Sequence, residues 1–415
     1  MKRYPCLLLL LCLTAVCFGQ EKFQTHPETL IISNDSITLR WGNIGVDKYW
    51  LRGDSMNYNS GAVPGAFFVL FYKNDSVRVE YNNKIPYGQY TYFNLTNNQK
   101  KWTIRLGFDP QPAIFSKKYI QENTGKVQFD IPEVYELANV IWTLSPGGKR
   151  ATDLNKGNSY HAKVLSYFAP YMDHPVFSAL DLPDSLYLNS YYDFRENSFA
   201  YNFKATAPGS ASTELLYNGP YYSVYGGQYA DSSLFGKLKP LVEDFAKRSK
   251  FRSFYKRHTA LYHQQIRRAK ELLPVKQMWA WLEEQFPATQ YQSYRIVFSP
   301  LIGNSHSTQN YSYNDGKLFS QSVMFICNTD RVDTVKQMTE QQREGVMSGV
   351  VFTEIDHNYV NRASSKYGKQ IDSIFSNRAV WAKQGNSSSF YGSPRSVFNE
   401  YMTWSVFCLY VLDKY

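Results

Sequence analysis

Glu354 and His357, three residues apart in Thr353-Glu-Ile-Asp-His357, are of types and at a spacing that can do chemistry together. On a helix, residues three and four apart share a face. A His-Glu-x-x-His pattern uses that geometry to bring two imidazoles to one zinc ion, while the Glu beside the first His activates the bound water. In this chain the second half of the pattern stands as Glu354 and His357, and Thr353 takes the place of the first His. A zinc site needs three protein donors, and a threonine hydroxyl is a poor one at neutral pH. Two replacements are open: Asp356, which projects about a quarter turn from His357, or a histidine from elsewhere, His306 or His263. The plainer reading also stands. A histidine on a largely apolar helix is often a satisfied core residue, and Glu354 can pair with a nearby Arg or Lys.

The element that positions these residues is readable from its cap and its stripe. Thr339-Glu-Gln-Gln342 fits a capping box, and Val346, Met347, Val350, Val351, Ile355 and Tyr359 recur at helical spacing. The segment Thr339 to Asn361 is therefore expected to be a buried helix. Phe398-Asn-Glu-Tyr-Met-Thr-Trp404 opens a second apolar helix running to Leu412, and its Glu400 needs a partner, whether metal, Arg or hydrogen-bond network.

From about Lys126 to the end, the chain resembles a family of secreted bacterial proteins with a domain of unknown function, whose signature is a His-Glu-x-x-His helix closely followed by Val-Asn. The strings that carry the resemblance are Phe129-Asp-Ile-Pro-Glu-Val-Tyr-Glu-Leu-Ala-Asn139, Phe168-Ala-Pro-Tyr-Met-Asp-His-Pro175, Phe298-Ser-Pro-Leu-Ile-Gly303 and Glu354-Ile-Asp-His-Asn-Tyr-Val-Asn361. The resemblance implies a gluzincin-like zinc metallopeptidase fold, in which a Glu on a later helix is the third ligand. It thereby implies that His357 and Glu400 hold zinc and that Glu354 is the general base in peptide-bond hydrolysis. Thr353 departs from the family pattern. The expectation is a domain that has lost hydrolysis and persists as a binding or structural module using the old cleft. The alternatives are an active zinc-dependent peptidase with a non-standard ligand, or an envelope-associated glycan- or protein-binding protein acting through an N-terminal β domain, with Trp41, Trp50 and Trp102 on an exposed face.

Around these helices the chain reads as α+β. Six β-prone runs (29–32, 36–41, 67–72, 76–81, 90–95 and 102–108) are broken by Asn-Asp, Pro-Gly, Asn-Asn and Pro-Tyr-Gly, with Lys73-Asn-Asp75 as a hairpin candidate. Residues 20–120 are therefore expected to be an antiparallel β domain. Residues 121–415 are expected to form a zincin-like, mainly helical α+β domain. In it, Asp130 is expected to cap a helix with Glu133 in the reciprocal position and Pro132 in the first turn, ended by Pro146-Gly-Gly148. Further helices are expected near 160–168, 233–250, 258–273 and 275–286, with strand-like runs at 185–203, 294–299 and 321–327.

Met1 to Gly19 has a charged start at Lys2 and Arg3, an apolar run and a small residue at its end, the pattern of a cleaved secretory signal; Cys17 as a lipid anchor is the lesser alternative. The expected location is periplasmic or extracellular. No later stretch reaches the roughly 20 apolar residues needed to span a bilayer. Loss of Lys2 and Arg3 lowers the formal charge by two, from +10 to +8. The excess is spread along the chain, and export argues against nucleic acid as a partner. A peptide, protein or glycan of the envelope is the expected partner. Thirty-four Tyr and 27 Phe suit half-wet sheet packing or sugar platforms. Cys327 and Cys408, the two cysteines of the mature chain, both lie in apolar strings, as two buried thiols or one disulfide.

Overall fold

The computed structural model describes residues 28–33, 38–42, 56–58, 66–72, 75–81, 90–97, 100–110, 113–205, 212–217, 219–226, 230–313, 319–385, 389 and 391–414, with side chains from 113 onward except that of Tyr313. The expected signal, Trp50, and the side chains of Trp41 and Trp102 lie outside the described residues. The chain divides into two compact units, Met1–Gln111 and Pro112–Tyr415.

In the first unit, β1 (Glu28–Ser33), β2 (Thr38–Gly42), β6 (Tyr90–Asn97) and β7 (Lys100–Pro110) form one sheet in the order β2-β1-β7-β6. Strands β3 (Met56–Tyr58), β4 (Ala66–Tyr72) and β5 (Asp75–Tyr81) form a second, and all these pairs are antiparallel.

The second unit mixes helix and strand. Its central sheet has the order β12-β13-β11-β8, from β8 (Lys126–Asp130), β11 (Ser293–Ser299), β12 (Ser307–Tyr313) and β13 (Phe319–Cys327). Strands β8, β11 and β13 are parallel, with Ile296 opposite both Phe129 and Met324, while β12 runs antiparallel to β13 at the edge. All nine residues of β13 are buried, as expected of a strand covered on both faces. A two-stranded ribbon, β9 (Tyr201–Phe203) with β10 (Leu215–Tyr217), stands apart from this sheet.

The helices of this unit are α1 (Lys117–Asn123), α2 (Glu133–Leu144), α3 (Pro146–Arg150), α4 (Ser159–Phe168), α5 (Pro175–Ala179), α6 (Tyr187–Asn197), α7 (Leu234–Arg248), α8 (Phe251–Arg257), α9 (Thr259–Leu272), α10 (Val275–Gln285), α11 (Asp330–Asp333), α12 (Glu340–Ser365), α13 (Gly368–Ile374), α14 (Arg378–Trp381) and α15 (Pro394–Lys414). Every residue of α2 from Val134 to Leu144 is buried, so this helix is core rather than cover. Among the described residues, no helix is long and apolar enough to cross a membrane.

Several expected elements differ from those found. Asp130 does not cap α2: it ends β8 and pairs with Arg295, whose Nε donates at 2.9 Å, while Glu133 pairs with Arg252 at 3.0 Å. Pro132 is the N-cap itself and makes no side-chain cap bond. Charge-assisted bonds to distant arginines outcompete the local cap. Residues 185–203, expected as strand, are mostly helix. Tyr187, Tyr191 and Phe194 recur at helical spacing and all pack on Trp142, at ring distances of 5.5, 5.3 and 5.9 Å. Cys327 and Cys408 are free; Cys327 is buried but Cys408 is exposed, because it lies on the outer face of α15. His174, expected in a turn, caps α5 by accepting from Val176 N–H, with Nε2 3.1 Å from Asp244.

Candidate functional site

Helix α12 begins with the expected capping box, in which Thr339 accepts from Gln342 N–H and the Gln342 side chain accepts from Thr339 N–H. Its inner face is pinned to the sheet edge by Asn358. That amide donates to Ser322 of β13 at 2.7 Å and to Thr308 of β12 at 3.1 Å, and accepts from Asn310 at 2.6 Å. Helix α15 lies along the opposite flank. Gly349 allows the approach, since a Cβ there would sit 3.3 Å from the Phe407 ring, and Phe352 stacks on Tyr410 at 4.7 Å.

This packing brings two of the expected site residues together. His357 Nε2 and Glu400 Oε2 are 3.7 Å apart, each side chain 23% exposed. Asn361 hydrogen-bonds the imidazole. Burial holds His357 below the usual histidine range, against the opposing pull of Glu400. Trp404 Nε1 donates to Glu400 Oε1 at 3.2 Å, and the Tyr391 hydroxyl turns toward the same carboxylate.

Glu354, one turn before His357, is partly exposed and is pushed up to about 8, first by loss of hydration and then by the charges of Glu400 and Glu196; Arg195 pulls the other way. Among the described residues it has no ion-pair partner. Asp356 is fully buried, and neither of its oxygens has a hydrogen-bond partner among the described residues. Burial first, then Glu354 and Glu400, hold its carboxyl well above the ordinary range.

Thr353, at the position of the absent histidine, is turned into its own helix. Its hydroxyl donates to Gly349 C=O at 2.8 Å and to Val350 C=O at 3.2 Å. The candidate substitutes do not complete a metal site either. His306 is held near 4 by burial and by Arg331 and Arg195, and His263 is exposed on α9. Among the described residues, no three His, Cys, Asp or Glu side chains form a group able to hold a metal. The zinc that the family resemblance implies is thus offered His357 and Glu400 alone, one donor short of the usual set. The donor set does not fit zinc.

Behind the site is a layer that the motif did not announce. Arg195 and Glu196, both fully buried, pair at 3.0 Å between α6 and β12. Arg195 Nη1 donates to Ser305 C=O at 2.9 Å, and its guanidinium lies over the Tyr191 and Tyr192 rings at 4.5 and 5.0 Å. Glu196 accepts from Ser307 Oγ and, at 2.9 Å, from Gln309 Nε2, while Tyr192 donates to His306 C=O at 3.0 Å. An Arg-Glu pair embedded among aromatic residues was the available sign of a buried ion pair, and reading 185–203 as a half-wet strand hid it. Compared with known proteins, the chain matches no protein-family model, no curated protein and no solved structure.

Proposed function

We propose that Pro112–Tyr415 is a zinc-peptidase-like domain that no longer hydrolyses peptides through a metal, and that it acts as a binding module through the site at His357 and Glu400. The observation that carries this reading is the hydroxyl of Thr353. It is committed to the carbonyls of Gly349 and Val350, so the first ligand position of the motif supplies no donor to the site. On this reading the chain is exported after cleavage following Gly19, and its partner is a peptide, protein or glycan of the cell envelope.

Metal content of the mature protein, purified without chelators and dialysed against trace zinc, tests the reading beside Thr353→His and His357→Ala. The expected result is an empty wild type and a Thr353→His variant that takes up about one zinc per chain, completing a three-donor site. A wild type holding one zinc that His357→Ala loses would overturn it in favour of an active peptidase with a non-standard ligand. Two empty proteins would mean that α12 does not correspond to a zinc-binding helix at all.

A further inference from the structure

The outer surface of the last three helices is apolar where a solvated face is ordinarily polar. Among the described residues, eight of the twelve exposed large apolar side chains fall between 367 and 414, so the exposure is concentrated in one region rather than scattered singly. On α15, Tyr401, Trp404 and Leu412 lie along the solvent side at helical spacing, with exposed Cys408 between them, and Leu412 is 79% exposed.

Direct contacts continue this stripe onto α13 and α14. The Tyr401 hydroxyl donates to Trp381 C=O, Trp381 stacks on Phe375 at 4.3 Å, and its indole N–H donates to Ile374 C=O at 3.2 Å. Phe375 and Ile371 fill a small core with Val397, which leaves Ile374 outside it. Ile374 and Val380 are 61% and 64% exposed.

The free charge around α13 and α14 is of one sign. Lys366, Lys369 and Lys383 are exposed, and none has an ion-pair partner among the described residues. Asp372, the only acidic residue from 362 to 384, is taken by Arg395 at 2.7 Å. The carboxylates of α15 are engaged as well, Glu400 by Trp404 at 3.2 Å and Asp413 by Trp281 at 2.8 Å.

An apolar face that carries Trp and Tyr and is rimmed by free lysines suits an anionic lipid surface. The aromatic rings match the headgroup level, and each lysine is drawn to the negative charge. A second copy of the chain fits less well, because an isologous contact sets the same lysines against each other, and protein interfaces are depleted in lysine. Among the described residues no helix is long and apolar enough to cross a bilayer, so the contact is with its surface.

We propose that the face formed by α13, α14 and α15 docks the protein on an anionic phospholipid surface, with Ile374, Val380 and Trp381 entering the headgroup layer and the three lysines facing its phosphates. The proposal goes beyond the binding-module reading and requires no ligand at His357 and Glu400.

The test mixes the mature protein with sucrose-loaded vesicles of phosphatidylcholine and phosphatidylglycerol in equal parts, or of phosphatidylcholine alone, and reads the bound fraction by sedimentation. Three variants accompany the wild type: Ile374→Ser with Val380→Ser; Lys366→Gln with Lys369→Gln and Lys383→Gln; and Leu165→Ser, an exposed position on α4. The expected result is saturable binding to the mixed vesicles, weakened at least about tenfold by omitting the anionic lipid or by either set of changes on the face. Leu165→Ser leaves it unchanged. The lipid comparison uses wild type alone, so it stands whether or not a variant folds. Absence of vesicle binding overturns the proposal. So does binding that the serine pair leaves unchanged, which is adsorption of a basic protein by charge alone. Light scattering reports self-association on the same samples; a wild-type dimer that the serine pair dissolves, without vesicle binding, overturns the proposal in favour of a second copy on this face.

Discussion

Thr353 is a β-branched residue in mid-helix, and its back-bond to the carbonyl four residues earlier is the local alternative such a hydroxyl takes when nothing else is offered. At the same scale, Cys327 and Cys408 differ in a way that sequence context conceals. Cys327 is buried in β13, and burial pushes its thiol up to about 11; Cys408 is exposed on α15. On the reading that the signal with Cys6, Cys12 and Cys17 is removed, mature native protein treated with a maleimide is expected to take up one label per chain, at Cys408, with Cys327 reacting only after denaturation. Cys408→Ser should abolish the fast reaction, and rapid labelling of two thiols would contradict the placement of Cys327. Motif and family pattern singled out Glu354, His357 and Glu400, and the structure brings the last two within 3.7 Å. Asp356 was considered only as a rescuing ligand, and its burial without a partner was not legible, because solvent exposure is set by elements far away in sequence.

Helix α12 was the most legible element, since a capping box and a 3.6-residue apolar stripe act within a few residues of each other. Thr339→Ala removes the side-chain acceptor for Gln342 N–H and is expected to cost about 1 kcal/mol, read as a lower denaturant midpoint at unchanged slope. An unchanged midpoint would mean the cap is satisfied by solvent. Strands β8 and β12 were not anticipated. Strand β12 reads Ser-Thr-Gln-Asn-Tyr-Ser-Tyr, polar enough to pass for a loop, and is recruited as a strand by its antiparallel register with β13 and by the amides of Asn310 and Asn358. Helix α6 was misread for the converse reason: its tyrosines fit a pleated surface as well as a helix until Trp142 selects the helical spacing.

Across the second unit, several wholly or partly buried carboxyls are held in their neutral form by loss of hydration. Glu136, Glu196, Glu354, Asp356 and Asp330 are all raised, with burial the first cause of each. Glu136 is fully buried and pushed up to about 8, despite hydrogen bonds from Tyr160 and Ser299. A raised folded-state value means that the native state holds its proton after the unfolded chain has released it. Its contribution is intact below the unfolded value and is lost as pH rises toward 8. Lowered histidines such as His306 and His357 act in the opposite sense, but only below their unfolded value of 6.5. Unfolding free energy is therefore expected to decline from pH 6.5 to 8, and Glu136→Gln should flatten that decline by up to about 1.4 kcal/mol per pH unit, measured by chemical denaturation at several pH values. Parallel profiles for wild type and variant would show that Glu136 ionises in the native state as it does in the unfolded one.

The sequence by itself determined the mixed helix and strand of residues 113–414, the cap and stripe of α12, and the offset of Glu354 from His357. These depend on interactions between residues a turn or a strand apart. Only the tertiary structure decided that His357 meets Glu400, that Thr353 turns away from them, and that Arg195 and Glu196 are buried behind β12. Each of those outcomes is a choice among many donors and acceptors distant in the chain. What selects between them is the packing of α12 against α15 and the sheet edge, where an unpaired charge costs more than any local preference can offset.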